Sequence, residues 1–364
     1  MEGLLAASFP RRRGDRPPEG LLPLNLLKTQ MIKHALSALI LSMSAALLAA
    51  SGAQAAPNPF TNVPEVKLEG AARAAYIQEK TDKIFGVVPK ATAAAPAPFA
   101  VPDGWSRISR KAYGQGAVET YAAVKGGKAD VLFLHGGGYV GGLHDRYRNW
   151  GLHLGDVAGA GKVYELDYRT SPEHPYPAAL EDALAAYAGL LKDGMDPAKT
   201  VLVGDSAGGN LASALAVALR DKGMPLPRAI ILISPWNDAG AQLPSRTMNF
   251  KKDRILGEVN RRLGPEIFNP SFALGMNKTD PLISPVNADL AGLPPMLVTA
   301  GGHELLLDDA ALFAAHAMAS GVVVRFKVYP EMSHDWTILL PELKETKQHE
   351  RDIRAFVDEA MNAK

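Results

Sequence analysis

The sequence predicts an α/β fold, with a mostly parallel central β-sheet and helices on both faces. From about residue 116 onward, short apolar segments alternate with Ala- and Leu-rich helical segments. Several apolar segments are almost continuously hydrophobic, which is typical of strands buried on both faces by covering helices. The alternation of strand and helix implies right-handed crossovers between parallel strands. Strands are expected at 116–124, 130–134, 162–167, 200–204, 229–233, 296–300 and 323–329.

Two helices are expected between these strands, at 178–192 and 207–222. In the second, Leu211 and Leu215 share one face, and Gly223 follows as a C-terminal stop. Such helices would cover the faces of the sheet.

A long segment interrupts this alternation after the strand at 229–233. More than 60 residues precede the next strand, which is far longer than an ordinary connection. The segment has its own helical pattern at about 253–263. We therefore expect an insertion at about 239–285 that caps the sheet.

The segment 31–55 has the three-part pattern of a secretory signal peptide. Lys33 gives a basic start, the apolar run extends from Ala35 to Ala50, and small residues end at Ala55. The run is roughly 16 residues, short of the ~20 needed to cross a bilayer as a helix. We expect cleavage after Ala55, an exported protein that is periplasmic or secreted, and no stable membrane span in the mature chain.

The segments on either side of this signal are irregular in composition. Residues 1–30 resemble neither a signal nor a domain, and an over-extended start with Met31 as the initiator explains them most simply. A long n-region or a Tat-type signal are the alternatives. Residues 56–104 are expected to form an N-terminal cap segment and linker, with a helix over about 66–84 and an Ala/Pro-rich stretch at 91–102. The main domain is expected at 105–364.

Composition excludes several classes of protein. The 364 residues are 47% hydrophobic and 21% charged, as in an ordinary globular protein. Lys and Arg number 39 against 38 Asp and Glu, so the charge balance does not favour nucleic-acid binding. With no Cys there is no disulfide, thiolate metal site or Cys nucleophile. No H-E-x-x-H motif or phosphate-binding loop occurs, so we expect no metal and no cofactor.

The segment Gly204–Gly209, with the sequence G-D-S-A-G-G, has the form of a nucleophile elbow. It follows the strand at 200–204 and opens the helix at 207–222. Flanking glycines permit a tight turn that exposes the Oγ of Ser206, and Ala207 offers its backbone N–H to an oxyanion. Ser206 is therefore the candidate nucleophile.

A Gly-rich loop follows the strand at 130–134. Its sequence His135-Gly-Gly-Gly-Tyr139 allows backbone N–H groups to approach a substrate oxygen, as in the oxyanion loops of lipases and esterases. His135 leads this loop and is interpreted as structural.

His334 is the candidate general base. It lies on the loop after the last expected strand, where serine hydrolases of this fold need the base. The acid that orients it should follow the strand at 296–300. Glu304 lies at the end of that strand and is favoured, with Asp308 as the alternative, because Asp308 and Asp309 fall in the next helix.

These motifs together resemble the hormone-sensitive-lipase-like family of α/β-hydrolases over roughly 105–360. The resemblance implies a carboxylic ester hydrolase with Ser206 as nucleophile, and a helical cap that shapes the acyl pocket. It also implies an oxyanion hole from the N–H groups of Gly137, Gly138 and Ala207. The family more often has Asp where this chain has Glu304. The motifs that carry the resemblance are 135–138, 167–178, 204–209, 233–236, 293–295 and the segment around His334.

The sequence-based function is therefore a serine carboxylic ester hydrolase that acts on short to medium acyl esters through an acyl-enzyme. The expected partner is a small-molecule ester, and no binding of nucleic acid is expected. Two alternatives use the same fold: a non-catalytic small-molecule-binding protein, and an amide hydrolase or acyltransferase with the same triad. The natural ester and the oligomeric state are left open.

Overall fold

Eight strands form one sheet in the computed structural model, which describes residues 57–86, 98–240, 242–258 and 264–363. The strands are β1 (Trp105–Tyr113), β2 (Gly116–Ala123), β3 (Ala129–Leu134), β4 (Ala160–Asp167), β5 (Thr200–Asp205), β6 (Ala229–Ile233), β7 (Met296–Gly301) and β8 (Val324–Tyr329). The α-helices are α1 (Gly70–Gly86), α2 (Asp145–Ala158), α3 (Ala178–Lys192), α4 (Ser206–Asp221), α5 (Ser245–Met248), α6 (Gly264–Phe268), α7 (Leu307–Ala319), α8 (Trp336–Leu339) and α9 (Lys344–Asn362).

The strands lie in the order β1-β2-β4-β3-β5-β6-β7-β8. Strand β2 is antiparallel to both its neighbours, and β3 to β8 are parallel to one another. The predicted fold class, a mostly parallel sheet with helices, is therefore confirmed.

Alternate residues of the central strands face two separate hydrophobic cores. In β3, Leu132 and Leu134 belong to one core, whereas Val131 and Phe133 belong to the other. Side chains of a strand point to opposite faces in turn, so a strand covered on both sides must be apolar at every position. This explains why these strands could be recognised in the sequence as continuous apolar runs.

The seven predicted strands and the helices at 178–192 and 207–222 are confirmed, with ends within two residues of those expected. The structure adds β1, whose residues after Trp105 are mostly exposed, so the strand has no buried apolar face to signal it. The expected helix at 66–84 is α1, which begins later, at Gly70.

The prediction of a helix at about 253–263 is wrong over its first part, because residues 253–258 form turns. The Oδ1 of Asp253 accepts hydrogen bonds from the N–H groups of Ile255 and Leu256, as at a helix start. The N–H of Glu258 then donates to the carbonyl oxygen of Phe250, 2.8 Å away, and the helix does not continue. A Cβ at Gly257 would lie 2.2 Å from the carbonyl oxygen of Phe250, so the chain doubles back closely here. Residues 259–263 lie outside the described residues.

Helix α1 is attached to the main domain through charged contacts. Arg73 pairs with Glu331, 2.6 Å away, and with Glu345, 2.7 Å away. The hydroxyl of Tyr76 donates to Glu342. The helix therefore bridges the loop after β8 and the segment that begins α9.

The predicted signal peptide at 31–55, the predicted over-extended start at 1–30 and most of the linker at 91–102 lie outside the described residues. In the part of the chain that is described, no helix has the length and apolar character needed to span a membrane.

Candidate active site

The parallel strands bring four predicted loops to one edge of the sheet. Leu134 of β3 lies beside Gly204 of β5. Gly301 of β7 lies beside Tyr329 of β8. Parallel strands end at the same edge, so four segments begin there. They are the Gly-rich loop after β3, the nucleophile turn after β5, the acid loop after β7 and the base loop after β8.

Ser206 sits on a strained turn between β5 and α4, with a φ of 52°. The glycines around it are required by close contacts. A Cβ at Gly204 would lie 2.2 Å from the carbonyl oxygen of Gly208, and a Cβ at Gly208 would lie 2.0 Å from that of Leu134. The turn can therefore close against β3 only with glycine at both positions.

The base loop after β8 brings His334 to Ser206. Its Nε2 lies 2.8 Å from the Oγ of Ser206, which is hydrogen-bond distance. Both residues are largely buried, with 3% and 6% of their surfaces exposed, respectively. This contact is the one that a serine nucleophile and its general base require.

Glu304, in the acid loop after β7, faces the other side of the imidazole. Its Oε2 lies 3.6 Å from the Nδ1 of His334, too far for a hydrogen bond. Such contacts are often long in an enzyme without substrate and shorten when substrate binds. The alternative acid, Asp308, instead accepts a hydrogen bond from the N–H of Ser245, 2.7 Å away. The geometry therefore favours Glu304 over Asp308 as the partner of the base.

The Gly-rich loop carries the predicted oxyanion donors. Gly137 and Gly138 have φ angles of 102° and 65°, which favour glycine. Among the described residues, no acceptor bonds to the backbone N–H of either glycine. The N–H of Ala207 lies in the first turn of α4, where no acceptor exists within the helix. These three donors are therefore available to a bound oxyanion.

His135 supports this loop and has no contact with Ser206. Its ring stacks on Tyr168, with ring centroids 4.2 Å apart. The hydroxyl of Tyr168 donates to the carbonyl oxygen of His135, 2.6 Å away. Burial lowers the pKa of His135 to about 4, so the ring is neutral at pH 7. Asp205 fixes Gly136, the residue after His135, because the Oδ1 of Asp205 accepts a hydrogen bond from the N–H of Gly136.

Sequence reasoning missed Asp253, a buried residue of the segment between β6 and β7. Its Oδ2 accepts from the N–H of Leu305 in the acid loop, 2.8 Å away. Its Oδ1 lies 3.4 Å from the backbone nitrogen of His334. One carboxylate thus connects the acid loop to the base loop. No sequence signal marks it, because the three residues lie far apart in the chain.

Sequence reasoning also gave no role to Asp335, which directly follows the base. Its Oδ2 lies 3.0 Å from the Nε2 of His334, the same nitrogen that faces Ser206. Asp335 has a φ of 47°, a conformation common only for Gly, Asn and Asp. An acid next to the base in sequence was the available signal.

Acidic residues determine the protonation of the site. Burial by itself would lower the pKa of His334, but the carboxylates of Asp335 and Glu304 raise it well above its usual value. Burial raises the pKa of Glu304 to about 7, against the opposing effect of His334. Both neighbouring carboxylates therefore favour the charged form of the imidazole, and His334 becomes available as a base as the pH rises.

Known proteins with similar sequences and structures are hydrolases. Residues 131–338 match a family described as having the alpha/beta hydrolase fold. An acetyl-hydrolase of Streptomyces hygroscopicus is 41% identical over 62% of this chain and 74% of its own length. An esterase of Acinetobacter venetianus is 33% identical over 62% of this chain and 73% of its own.

The sheet and its helices are also similar to those of solved structures. A crystal structure of an esterase from the bacterial hormone-sensitive lipase family has a TM-score of 0.70 and 35% sequence identity. The match covers 81% of this chain and all of that one.

Proposed function

Because this chain belongs to the α/β-hydrolase-fold family, in its hormone-sensitive-lipase-like branch, we propose that it cleaves short to medium acyl esters through an acyl-enzyme on Ser206. It is a carboxylesterase-like hydrolase and acts on small-molecule esters. The observation that supports the proposed chemistry most strongly is the 2.8 Å contact between the Oγ of Ser206 and the Nε2 of His334.

In the first half of the proposed reaction, Ser206 attacks the ester carbonyl carbon. His334 takes the Oγ proton on Nε2 as the O–C bond forms, and the carbonyl oxygen becomes an oxyanion. The N–H groups of Gly137, Gly138 and Ala207 stabilise that oxyanion, each by about 2.7–4 kcal/mol in comparable sites. When the tetrahedral intermediate collapses, the bond to the alcohol oxygen breaks, and Nε2 returns its proton to that oxygen.

In the second half, water replaces the alcohol and the same groups act again. His334 takes a proton from the water as it attacks the acyl carbon, and gives that proton to the Oγ of Ser206 as the acid leaves. Glu304 holds the imidazole in orientation and stabilises its positive charge in both halves. The products are one acid and one alcohol, and Ser206 is regenerated.

The proposed preference for short acyl groups is supported by the name of a similar protein. One similar protein is named an acetyl-hydrolase. The proposed range extends from acetyl to medium chains.

We also propose that the protein works outside the cytoplasm, after cleavage at Ala55. The support is the three-part pattern of residues 31–55 in the sequence. An exported esterase would meet esters supplied from the surroundings of the cell.

Hydrolysis of p-nitrophenyl esters from acetate to palmitate, by the purified protein and by two variants, tests the proposed reaction. We expect activity on the short esters that is lost in Ser206→Ala. Ser213→Ala is the matched control, because Ser213 lies on the same helix and donates only to the carbonyl oxygen of Gly209. This control should retain the activity of the parent protein.

Three outcomes would contradict the proposal. Full activity in Ser206→Ala would place the nucleophile elsewhere. Binding of esters without turnover would favour the non-catalytic binding protein. Faster cleavage of a p-nitroanilide than of the matching ester would favour an amide hydrolase.

A further inference from the structure

Two side-chain oxygens face the same ring nitrogen of His334. The Nε2 of His334 lies 2.8 Å from the Oγ of Ser206 and 3.0 Å from the Oδ2 of Asp335. The Asp335 side chain is 11% exposed. Its Oδ1 has no hydrogen-bond partner among the described residues. A buried carboxylate without other partners is expected to interact strongly with the nearest proton donor.

The two protonation states of the imidazole respond to Asp335 in opposite ways. When Nε2 is unprotonated, its lone pair accepts from the hydroxyl of Ser206 but repels the carboxylate of Asp335. When Nε2 is protonated, its N–H donates a charge-assisted hydrogen bond to that carboxylate. The contact therefore favours the imidazolium, the state that His334 reaches each time Ser206 attacks.

The backbone holds Asp335 in this position. Its φ of 47° turns the chain sharply after His334, and its N–H lies 3.4 Å from the Oγ of Ser234. Helix α8 begins at the next residue, Trp336, which is fully buried. The backbone of Asp335 is thus held between a turn with a positive φ and a packed helix.

We propose that Asp335 is a catalytic residue that shares the Nε2 of His334 with Ser206 and stabilises the imidazolium formed during ester cleavage. This inference rests on the proposed function. No proton is transferred to Asp335: the proton moves from the Oγ of Ser206 to Nε2, and from Nε2 to the leaving alcohol oxygen. Asp335 makes His334 a stronger base, and for the same reason the imidazole loses its proton and becomes available as a base only at higher pH.

Other charged or titratable groups surround the imidazole, but they act from different directions. Glu304 faces Nδ1, and Asp253 approaches the backbone nitrogen of His334. Asp205, at the end of β5, accepts from Gly136. Tyr147 of α2 lies near Asp335, and the guanidinium of Arg146, also on α2, donates to the carbonyl oxygen of Ile338. Asp335 is the carboxylate that contacts Nε2.

The pH dependence of kcat/KM distinguishes this role from a structural one. His334 is a weaker base in Asp335→Asn. The acidic limb of the kcat/KM profile should therefore move to lower pH by about 1–3 pH units, as expected for removal of one adjacent charge. The plateau at high pH should fall several-fold, because the weaker base takes the proton less readily. The two profiles should therefore cross. Asn keeps the size of the side chain and tolerates a positive φ.

Glu331→Gln is the matched control. Glu331 lies on the same loop, is largely exposed and pairs with Arg73. Glu331→Gln removes one negative charge that does not contact the Nε2 of His334. The acidic limb of the kcat/KM profile should therefore stay at the same pH as in the parent protein. If Asp335→Asn does not fold, Asp335→Gly offers the same test, because Gly also fits the backbone at this position.

A titration of the His334 ring nitrogens by NMR tests the contact without turnover. With ¹⁵N-labelled histidine, and with His334→Gln for assignment, the imidazolium should persist to higher pH in the parent protein than in Asp335→Asn. Equal midpoints in the two proteins, or a limb that Asp335→Asn leaves unmoved, would overturn the inference. If the parent protein hydrolyses no ester, the proposed function fails, and the NMR midpoints alone decide whether Asp335 controls the proton on Nε2.

Discussion

Ser206 has the backbone strain that its chemistry requires. A serine with a φ of 52° is unfavourable in an ordinary turn, and the surrounding structure must hold it there. The close contacts at Gly204 and Gly208 do so, because they press the turn against β3 and the start of α4. The position of the Oγ is therefore determined by the sheet, which is a rigid support for a nucleophile.

The acid of the triad can be identified by comparing two substitutions that each remove one carboxylate. We expect Glu304→Gln to lower kcat by about 10²–10⁴-fold, since the imidazolium then loses the charge beside Nδ1. Asp308→Asn should change kcat less than about 3-fold, because an amide oxygen can still accept from Ser245. Steady-state kinetics at a fixed alkaline pH measures both values.

The opposite ranking would assign the acid to Asp308. Equal losses would indicate that neither carboxylate alone orients His334. Circular dichroism of each variant is needed beside the kinetics, because Glu304 is fully buried.

At the scale of elements, the segment between β6 and β7 stabilises the acid loop through hydrogen bonds to its backbone. Asn249 donates to the carbonyl oxygen of Glu304, 3.0 Å away. The buried guanidinium of Arg246 donates to the carbonyl oxygen of Leu305 and pairs with Asp309, 3.0 Å away. This segment therefore fixes the backbone of Glu304 and of the residue that follows it.

Substitution of Asp253 tests whether this segment positions the acid loop and the base loop. Its two oxygens accept from four backbone N–H groups, including those of Leu305 and His334. In Asp253→Asn one oxygen becomes an NH₂ group that faces N–H donors, so at least one bond is lost. We expect kcat to fall by about 10²-fold with little change in KM, because misplacement affects the reacting groups more than binding. The unfolding free energy should fall by about 1–3 kcal/mol.

Asp280→Asn is the matched control for Asp253. Asp280 lies in the same insertion, and its Oδ1 accepts from the nearby N–H of Leu282. We expect kcat to stay within about 2-fold of the parent value. A rise in KM at constant kcat in Asp253→Asn would instead mean that Asp253 shapes the substrate pocket.

The elements that could be predicted from the sequence are those whose burial is regular. Continuous apolar runs indicated the buried strands, and the motif at 204–209 indicated the turn at Ser206. Strand β1 lacks a buried face, and helix α2 contains Gly151 and Gly155, so neither stood out. Asp253 could not be predicted, because its role depends on two loops that the fold alone brings together.

At the scale of the whole molecule, the described N-terminal residues are anchored on the main domain. The side-chain amide of Asn58 donates to the carbonyl oxygen of Asn149 on α2, 2.8 Å away. Phe60 is buried and packs edge-on against Trp150, with ring centroids 5.2 Å apart. Cleavage after Ala55 would keep both contacts, so the proposed processing is compatible with them.

The site of cleavage gives a prediction for the whole chain. Mass spectrometry of the protein from the exported fraction should find an N-terminus at Ala56. Signal cleavage needs small residues at the last and third-last positions, here Ala55 and Ala53, and tolerates other residues between them. Ala55→Asp should therefore leave an uncleaved precursor. Gln54→Asp introduces the same charge one residue earlier and should be processed normally, and an intact Met1 or Met31 in the exported parent protein would contradict the prediction.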